Sequence, residues 1–150
     1  MFTRTAGAWT KDQVLLLGDG APAEYGCITP TAFGWAVDLD GDQAVIGTPY
    51  GGGLTGEFAN LHGSAYVFEK DPETGLFQQA QLLSHEDPVL SEKFGNTIAI
   101  SGDWILVGSE GGVRKDNPGY VRGFQRDETG TWVMRQILED SDSQQHDSFG

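Results

Sequence analysis

The chain has 150 residues, of which 38% are apolar and 22 are glycine, a composition typical of a folded, turn-rich protein. Nine basic and 22 acidic side chains give a formal net charge of −13. This charge argues against binding to nucleic acid or to an anionic membrane, because both need basic patches. No apolar run approaches the roughly 18 residues of a membrane span, so direct membrane insertion is not expected either.

The first 32 residues are predicted to end a unit that precedes the first complete repeat. Trp9 is followed five residues later by the aliphatic pair Val14-Leu15. The same spacing occurs twice more along the chain, at Phe77 with Leu82-Leu83 and at Trp132 with Ile137-Leu138. We therefore expect residues 1–32 to contain the end of a third strand and a complete fourth strand.

Residues 33–93 are predicted to form a four-stranded unit. Phe33, Trp35, Val37 and Leu39 alternate with smaller or polar residues, which indicates a first strand beginning at Phe33. A Gly-Asp turn, an apolar second strand, a glycine-rich loop at 50–62, a third strand at 63–68 and an outer fourth strand from 77 follow. The polar middle of the fourth strand is typical of an outer strand.

Residues 94–148 repeat this frame, and residues 149–150 begin it again. The dipeptide Phe-Gly recurs at 33, 94 and 149, at separations of 61 and 55 residues. Such a period is typical of a repeat array. Since the chain begins and ends inside units, we expect it to be an excerpt from a longer array.

Repeated four-stranded meanders predict an all-β fold, a partial β-propeller of four-stranded antiparallel blades with about two and a half blades. Small residues on the first strand, such as Gly95 and Ala99, allow close approach to a neighbour. The gradient from an apolar second strand to a polar fourth strand fits sheets buried between other sheets. A β-sandwich is the alternative, and it would show more even alternation.

These landmarks resemble the FG-GAP repeat, the propeller repeat of the integrin alpha-subunit head and of many microbial and algal surface proteins. The resemblance rests on Phe-Gly, the Gly-Asp turn, a strand ending in Val/Ile-Gly, and Gly63–Phe68. It departs at the final Ala-Pro, which here is Thr48-Pro49 and Ser109-Glu110. The family implies a seven-bladed propeller, usually extracellular or at the cell surface, that binds partners on its faces.

A calcium site is one candidate on the first hairpin, where Asp38, Asp40 and Asp42 form D-x-D-x-D. Many members of the resembled family hold calcium in this hairpin, and calcium binds through carboxylate and carbonyl oxygens. However, the family's calcium loop is longer, and an Asp-Gly turn needs no metal. The second repeat keeps only Asp103 at these three positions. A plain hairpin without a cofactor is therefore the alternative.

The loop at 50–62 is the candidate recognition site, because propellers place recognition in variable loops. Tyr50, Phe58, Asn60 and His62 are its candidate contact residues. Its glycines invite a phosphate-binding interpretation, but the following Lys-Ser/Thr and a helix start are absent from the sequence.

No catalytic or zinc-binding pattern is recognisable in the sequence. His62, His85 and His146 occupy unrelated loop positions, and Cys27 is the only cysteine. The four tryptophans are predicted to be core residues rather than a platform for sugars. They are Trp9, Trp35, Trp104 and Trp132.

The sequence therefore predicts a non-enzymatic binding or adhesion module that presents loops to a protein or glycan partner. Further propeller blades or self-association would cover its open sheets. Two alternatives stay open. One is a propeller-supported hydrolase or lyase whose catalytic residues lie outside this segment, and the other is a set of structural spacer blades.

Overall fold

The computed structural model describes residues 1–15, 32–51, 62–84, 92–111, 118–142 and 149–150, which form β-strands and no helix. The strands run in chain order as β1 (Phe2–Thr5), β2 (Ala8–Lys11), β3 (Val37–Asp40), β4 (Gln43–Thr48), β5 (Ser64–Lys70), β6 (Phe77–Leu83), β7 (Thr97–Ser101), β8 (Trp104–Ser109), β9 (Tyr120–Arg126) and β10 (Trp132–Leu138).

These strands form two four-stranded meanders and one hairpin. The first sheet has the order β3-β4-β5-β6 and the second sheet β7-β8-β9-β10, while β1 and β2 pair as the leading hairpin. Every pair of neighbouring strands is antiparallel. This confirms the predicted all-β fold of a partial β-propeller, with four-stranded antiparallel blades.

The two ends of each sheet differ in the length of their connections. Two-residue turns join β3 to β4 and β7 to β8, and short turns at 71–76 and 127–131 join the outer strands. The longer connections, 49–63, 84–96 and 110–119, all leave and re-enter the sheets at the opposite end. We call these the turn end and the loop end. Sequence variation between the two repeats concentrates at the loop end.

The sheets pack face to face in the order hairpin, first sheet, second sheet. One face of the first sheet contributes Val45, Val67 and Leu83 to a core with Ile105 and Trp132 of the second sheet. The other face buries Ala44, Ile46, Phe68 and Phe77 next to Met1 and Leu15 of the leading hairpin segment. The middle strand β4 is buried on both faces because the first sheet lies between two neighbours, as its continuous apolar run predicts.

The Phe-Gly dipeptides form turns and not the start of a strand, so the prediction that the first strand begins at Phe33 is wrong. Strand β3 begins at Val37, and the residues before the first two Phe-Gly dipeptides, Ala32 and Lys93, have a φ near +55°. The glycines themselves, Gly34 and Gly95, both have a φ of 88°. The alternation of large and small residues is typical of a strand, and it gives no information about φ. The left-handed backbone of this turn could therefore not be predicted from it.

The second and third Phe-Gly dipeptides each dock into the sheet before them. The Phe94 N–H donates to the His62 carbonyl at 2.9 Å, and Phe149 donates to the Pro118 carbonyl at 3.0 Å. A Cβ added to Gly47 would lie 2.0 Å from the Gly95 oxygen, and one added to Gly108 would lie 2.2 Å from the Gly150 oxygen. At these two positions adjacent sheets are therefore in close backbone contact, which leaves no room for a side chain.

Two glutamines, Gln13 and Gln81, join neighbouring sheets. The Gln81 side chain donates to the Trp132 carbonyl at 2.8 Å and accepts from the Trp132 N–H at 2.9 Å. Gln13 makes the same pair of bonds with Phe77, at 2.7 and 2.8 Å. Because Gln13 precedes Val14-Leu15 as Gln81 precedes Leu82-Leu83, the leading segment has the position of the end of a preceding blade.

A β-bulge in the outer strand sets the direction in which the Gln81 side chain points. The register of β6 shifts between the partners of Gln79 and Gln81, and that of β10 shifts between Met134 and Gln136. The extra residue reverses the alternation of the strand. Phe77 therefore faces one neighbour, whereas Leu83 faces the other.

Candidate ligand-binding site at the loop end

The loop end of the first sheet carries an exposed aromatic pair. Trp35 lies in the turn before β3 and Tyr50 directly after β4, with ring centroids 5.8 Å apart and planes at 87°. Trp35 is 58% exposed, and Tyr50 is half-buried. Edge-to-face packing fixes both rings, so the pair presents a rigid apolar surface with one phenol group.

Sequence reasoning missed Trp35 as a candidate contact residue, because the prediction that all four tryptophans are core residues is wrong. Only Trp132 is buried, whereas Trp9, Trp35 and Trp104 are exposed. The second repeat has Asn96 where the first has Trp35. Because a polar residue occupies the equivalent position, the comparison of the two repeats could have indicated that Trp35 lies on the surface.

The base of the 50–62 loop is closed by backbone bonds. The Gly63 N–H donates to the Gly51 carbonyl at 2.9 Å, so the two ends of the loop leave the sheet side by side. His62 is half-buried and its carbonyl receives the Phe94 N–H at the junction with the second sheet. Tyr50 and His62 thus share the loop end, whereas the candidates Phe58 and Asn60 lie outside the described residues.

A polar cluster lies at the loop end of the second sheet. Glu92 is buried, and its backbone carbonyl accepts a hydrogen bond from Ser109 Oγ at 2.6 Å. The Arg122 guanidinium stacks on the Tyr120 ring with its carbon 4.9 Å from the centroid. Burial, and after it the negative charge of Glu92, raises the pKa of the Tyr120 phenol to about 12.

This cluster is more closed than the aromatic pair. Ser109 and Tyr120 are buried, and the surface above them carries the ion pair of Lys93 with Glu110, at 2.5 Å. A neutral phenol held beside a buried carboxylate supports the junction between the 84–96 connection and β9. We therefore assign the cluster a structural role.

The three aspartates of the calcium prediction are placed by the structure in different contacts. Asp38 Oδ2 accepts the Ile100 N–H at 2.8 Å and Asp40 Oδ2 accepts the Gly102 N–H at 2.7 Å. Asp42 lies 3.5 Å from Lys70 Nζ at the turn end. Within the described ranges, no three His, Cys, Asp or Glu side chains form a group that could hold a metal ion. The three carboxylates are thus held in separate contacts, and the calcium site stays a prediction.

Of the remaining candidates, Cys27, His85 and His146 lie outside the described residues. None of the residues that the structure describes forms a helix long and apolar enough to cross a membrane.

A family model for the FG-GAP repeat matches residues 9–68. No match was found among curated proteins. The matched segment begins in β2 and ends in β5, so the family unit joins the outer strand of one blade to the first three strands of the next. The Phe33-Gly34 turn therefore lies inside the unit.

Proposed function

Because the chain is a member of the FG-GAP repeat family through residues 9–68, we propose that it is a non-enzymatic binding module. In this proposal it is a segment of a β-propeller whose loop end binds a protein or glycan partner, in an adhesion role at the cell surface. The observation that carries the proposal is the exposed pair of Trp35 and Tyr50.

The fold does not require this pair. The second sheet has Asn96 and Gly111 at the equivalent positions, and its junction with the first sheet forms without aromatic rings there. A large exposed tryptophan adds nothing to the core, and exposed aromatic side chains are common anchors in binding sites. The pair therefore supports recognition better than a spacer role.

The charge of the chain restricts the ligand. With a formal net charge of −13, the protein repels anionic partners at long range. A neutral glycan can stack its apolar ring face on Trp35, and a peptide can place an apolar or cationic side chain there. We accordingly propose neutral glycans or neutral to basic peptides and exclude sulfated or sialylated glycans from the proposal.

The test is binding of the labelled chain to an array of neutral and acidic glycans and to a displayed peptide library. We expect a neutral glycan or peptide to bind, and Trp35→Ala and Tyr50→Ala each to weaken that binding about tenfold or more. The matched control is Leu76→Ala, an exposed residue at the turn end.

Two outcomes would count against the proposal. One is binding that Trp35→Ala and Leu76→Ala weaken equally. The other is binding to neither probe, which would favour the spacer alternative. The hydrolase or lyase alternative concerns residues outside this segment.

A further inference from the structure

The turn between β3 and β4 contains the dipeptide Asp40-Gly41. Asp40 pairs with Gln43 as the last pair of the two strands, so Gly41 and Asp42 form the two-residue turn. The Gly41 N–H thus lies just beyond the ladder of backbone hydrogen bonds between these strands. The carboxyl group of an aspartate can react with the nitrogen of the following residue when that nitrogen is accessible.

Gly41 leaves its own nitrogen accessible. Its φ is 58°, and a Cβ added to this glycine would meet no other atom within 4 Å. Asp40 and Asp42 on either side are exposed. Because glycine has no side chain, nothing on its Cα shields the nitrogen from the neighbouring carboxyl group. The turn therefore combines a carboxyl group with an unhindered nitrogen.

A preceding sheet does not cover this kind of turn. The equivalent turn of the second sheet, at residues 101–103, has the same geometry, with a φ of 55° at Gly102. The second sheet packs behind a complete four-stranded sheet, and its turn is nevertheless exposed. The turn at 40–42 is therefore open because of its position at the turn end of the sheet.

The second repeat lacks the reactive pair. Ser101 takes the place of Asp40 before the turn glycine, and its hydroxyl group offers no carbonyl carbon that a nitrogen can attack. The two turns thus share their backbone and differ in the carboxyl group. Residues 101–102 show that the fold accepts Ser-Gly at this turn.

The Asp40 carboxylate also joins the two sheets. Its Oδ2 accepts the Gly102 N–H at 2.7 Å, next to the bond from the Ile100 N–H to Asp38. This bond restrains the carboxylate, so a reaction with the Gly41 nitrogen requires that it open first. Chemical change at Asp40 is thereby coupled to the contact between the sheets.

We propose that Asp40-Gly41 is a site of spontaneous isoaspartate formation, which removes the Asp40 contact with the second sheet. The Gly41 nitrogen attacks the carbon of the protonated Asp40 carboxyl group. A C–N bond forms, and the hydroxyl group leaves with the N–H proton as water. Water then cleaves the bond between the Gly41 nitrogen and the main-chain carbonyl carbon of Asp40. The net reaction is an isomerisation that needs neither an oxidant nor a cofactor.

The product cannot keep the contact. In isoaspartate the main chain runs through the former side chain and gains one carbon, while the carboxylate moves to the former main-chain position. The length of a two-residue turn sets the register of its strands, so the added carbon displaces the carboxylate from the Gly102 N–H. The neighbouring bond of Asp38 lies two residues earlier and is retained. This inference is independent of the proposed ligand, because it uses the turn end.

The experiment incubates the chain of residues 1–150 at neutral pH in water enriched in heavy oxygen. Fragmentation mass spectrometry then locates isoaspartate and the incorporated oxygen. We expect both at Asp40 and neither at Asp42, because the side chain of Gln43 hinders attack by the nitrogen that follows Asp42. The fragments separate this product from any formed at Asp19-Gly20, which lies outside the described residues.

Two variants serve as matched controls. Asp40→Ser copies the turn of the second sheet and should give no product at this position. Asp40→Glu keeps the negative charge, but it must close a larger ring and should give far less product. Far-ultraviolet circular dichroism verifies that both variants are folded.

Amide hydrogen exchange tests the effect on the contact between the sheets. In the modified chain, separated by ion-exchange chromatography, the Gly102 amide should exchange about fivefold faster or more, as expected when one hydrogen bond is lost. The Ile100 amide should keep its exchange rate.

Three results would overturn the proposal. One is isoaspartate at Asp40 in urea but not in the folded chain, because the fold would then protect the dipeptide. Another is equal modification of Asp40 and Asp42, since the turn glycine would then not select the site. The third is unchanged protection of the Gly102 amide in the modified chain, which would show that the contact survives.

Discussion

Asp38 and Asp40 connect the innermost strands of the two sheets. Strands β3 and β7 are both edge strands, and an edge strand has backbone N–H groups that its own sheet does not use. The two carboxylates are spaced two residues apart and match Ile100 and Gly102, which are spaced two apart as well. A side-chain contact thus replaces strand pairing where the sheets meet.

Removing either carboxylate should destabilise the chain. We expect Asp38→Ala and Asp40→Ala each to lower the free energy of unfolding by about 1 kcal/mol, because a charge-assisted hydrogen bond is lost and an N–H is left at the interface. Asp42→Ala is the control and should cost less than about 0.5 kcal/mol, since its ion pair with Lys70 is exposed.

Urea denaturation of the three variants, with and without calcium, measures these differences. Equal effects at all three positions would contradict the assignment. Stabilisation of the unaltered chain by calcium that Asp38→Ala abolishes would show instead that the hairpin holds this ion.

Because of Tyr120, the free energy of unfolding is expected to fall as the pH rises in the alkaline range. Its pKa is raised from 10.0 to about 12, so between these values the unfolded chain has lost a proton that the folded chain still holds. The stabilising contribution is complete below pH 10.0 and disappears as the pH rises through about 12. Urea unfolding of the chain and of Tyr120→Phe at pH 9, 10 and 11, values chosen around these limits, is the measurement. If the variant loses stability as steeply as the unaltered chain, Tyr120 is not responsible.

At the scale of elements, the sequence predicted the strands well because turn chemistry and residue spacing are local. The Gly-Asp turns and the five-residue spacing from aromatic to aliphatic residues located the hairpins and outer strands. Trp35 was misplaced because its alternation with Phe33 and Val37 imitates a strand. Gln81 and Asp38 were not recognised as interface residues because their partners lie 51 and 62 residues away.

Gly47 tests the contact between a Phe-Gly turn and the sheet before it. Its φ is not in the left-handed region, so Gly47→Ala acts by steric overlap with the Gly95 oxygen, 2.0 Å from the added Cβ. We expect a loss of about 3 kcal/mol or more, because backbone on both sides must move. Gly41→Asn is the control, since asparagine tolerates the φ of 58° and the site is open. Thermal unfolding compares the variants, and similar melting temperatures would rule out close backbone contact.

Gln81 tests the bond between outer strands. Gln81→Ala removes both hydrogen bonds to Trp132 and should lower the unfolding free energy by about 1–2 kcal/mol. Gln78→Ala, which removes only an exposed bond to Asp71, should cost less than about 0.5 kcal/mol. The comparison uses urea denaturation, and an equal cost for both variants would mean that the two bonds to Trp132 do not form in solution.

At the scale of the whole molecule, the repeat supplies the residues that bind the next sheet as well as the strands of its own sheet. Gly47 and Gly63 receive the next Phe-Gly turn, Gln81 holds the next outer strand, and Asp38 and Asp40 hold the next inner strand. The second sheet has Ala99 and Ser101 in place of the two aspartates. The second sheet therefore cannot make these two carboxylate bonds to a following sheet.

The central claim is that the two repeats lie side by side as neighbouring blades, and amide hydrogen exchange at the inner edge of β7 tests it most directly. We predict that the Ile100 and Gly102 amides are protected in the unaltered chain. Asp38→Ala should speed exchange of the Ile100 amide, and Asp40→Ala should speed exchange of the Gly102 amide. Each substitution should have little effect on the other amide. Rapid exchange of both amides in the unaltered chain, while the Ile105 amide in the middle strand stays protected, would contradict the account.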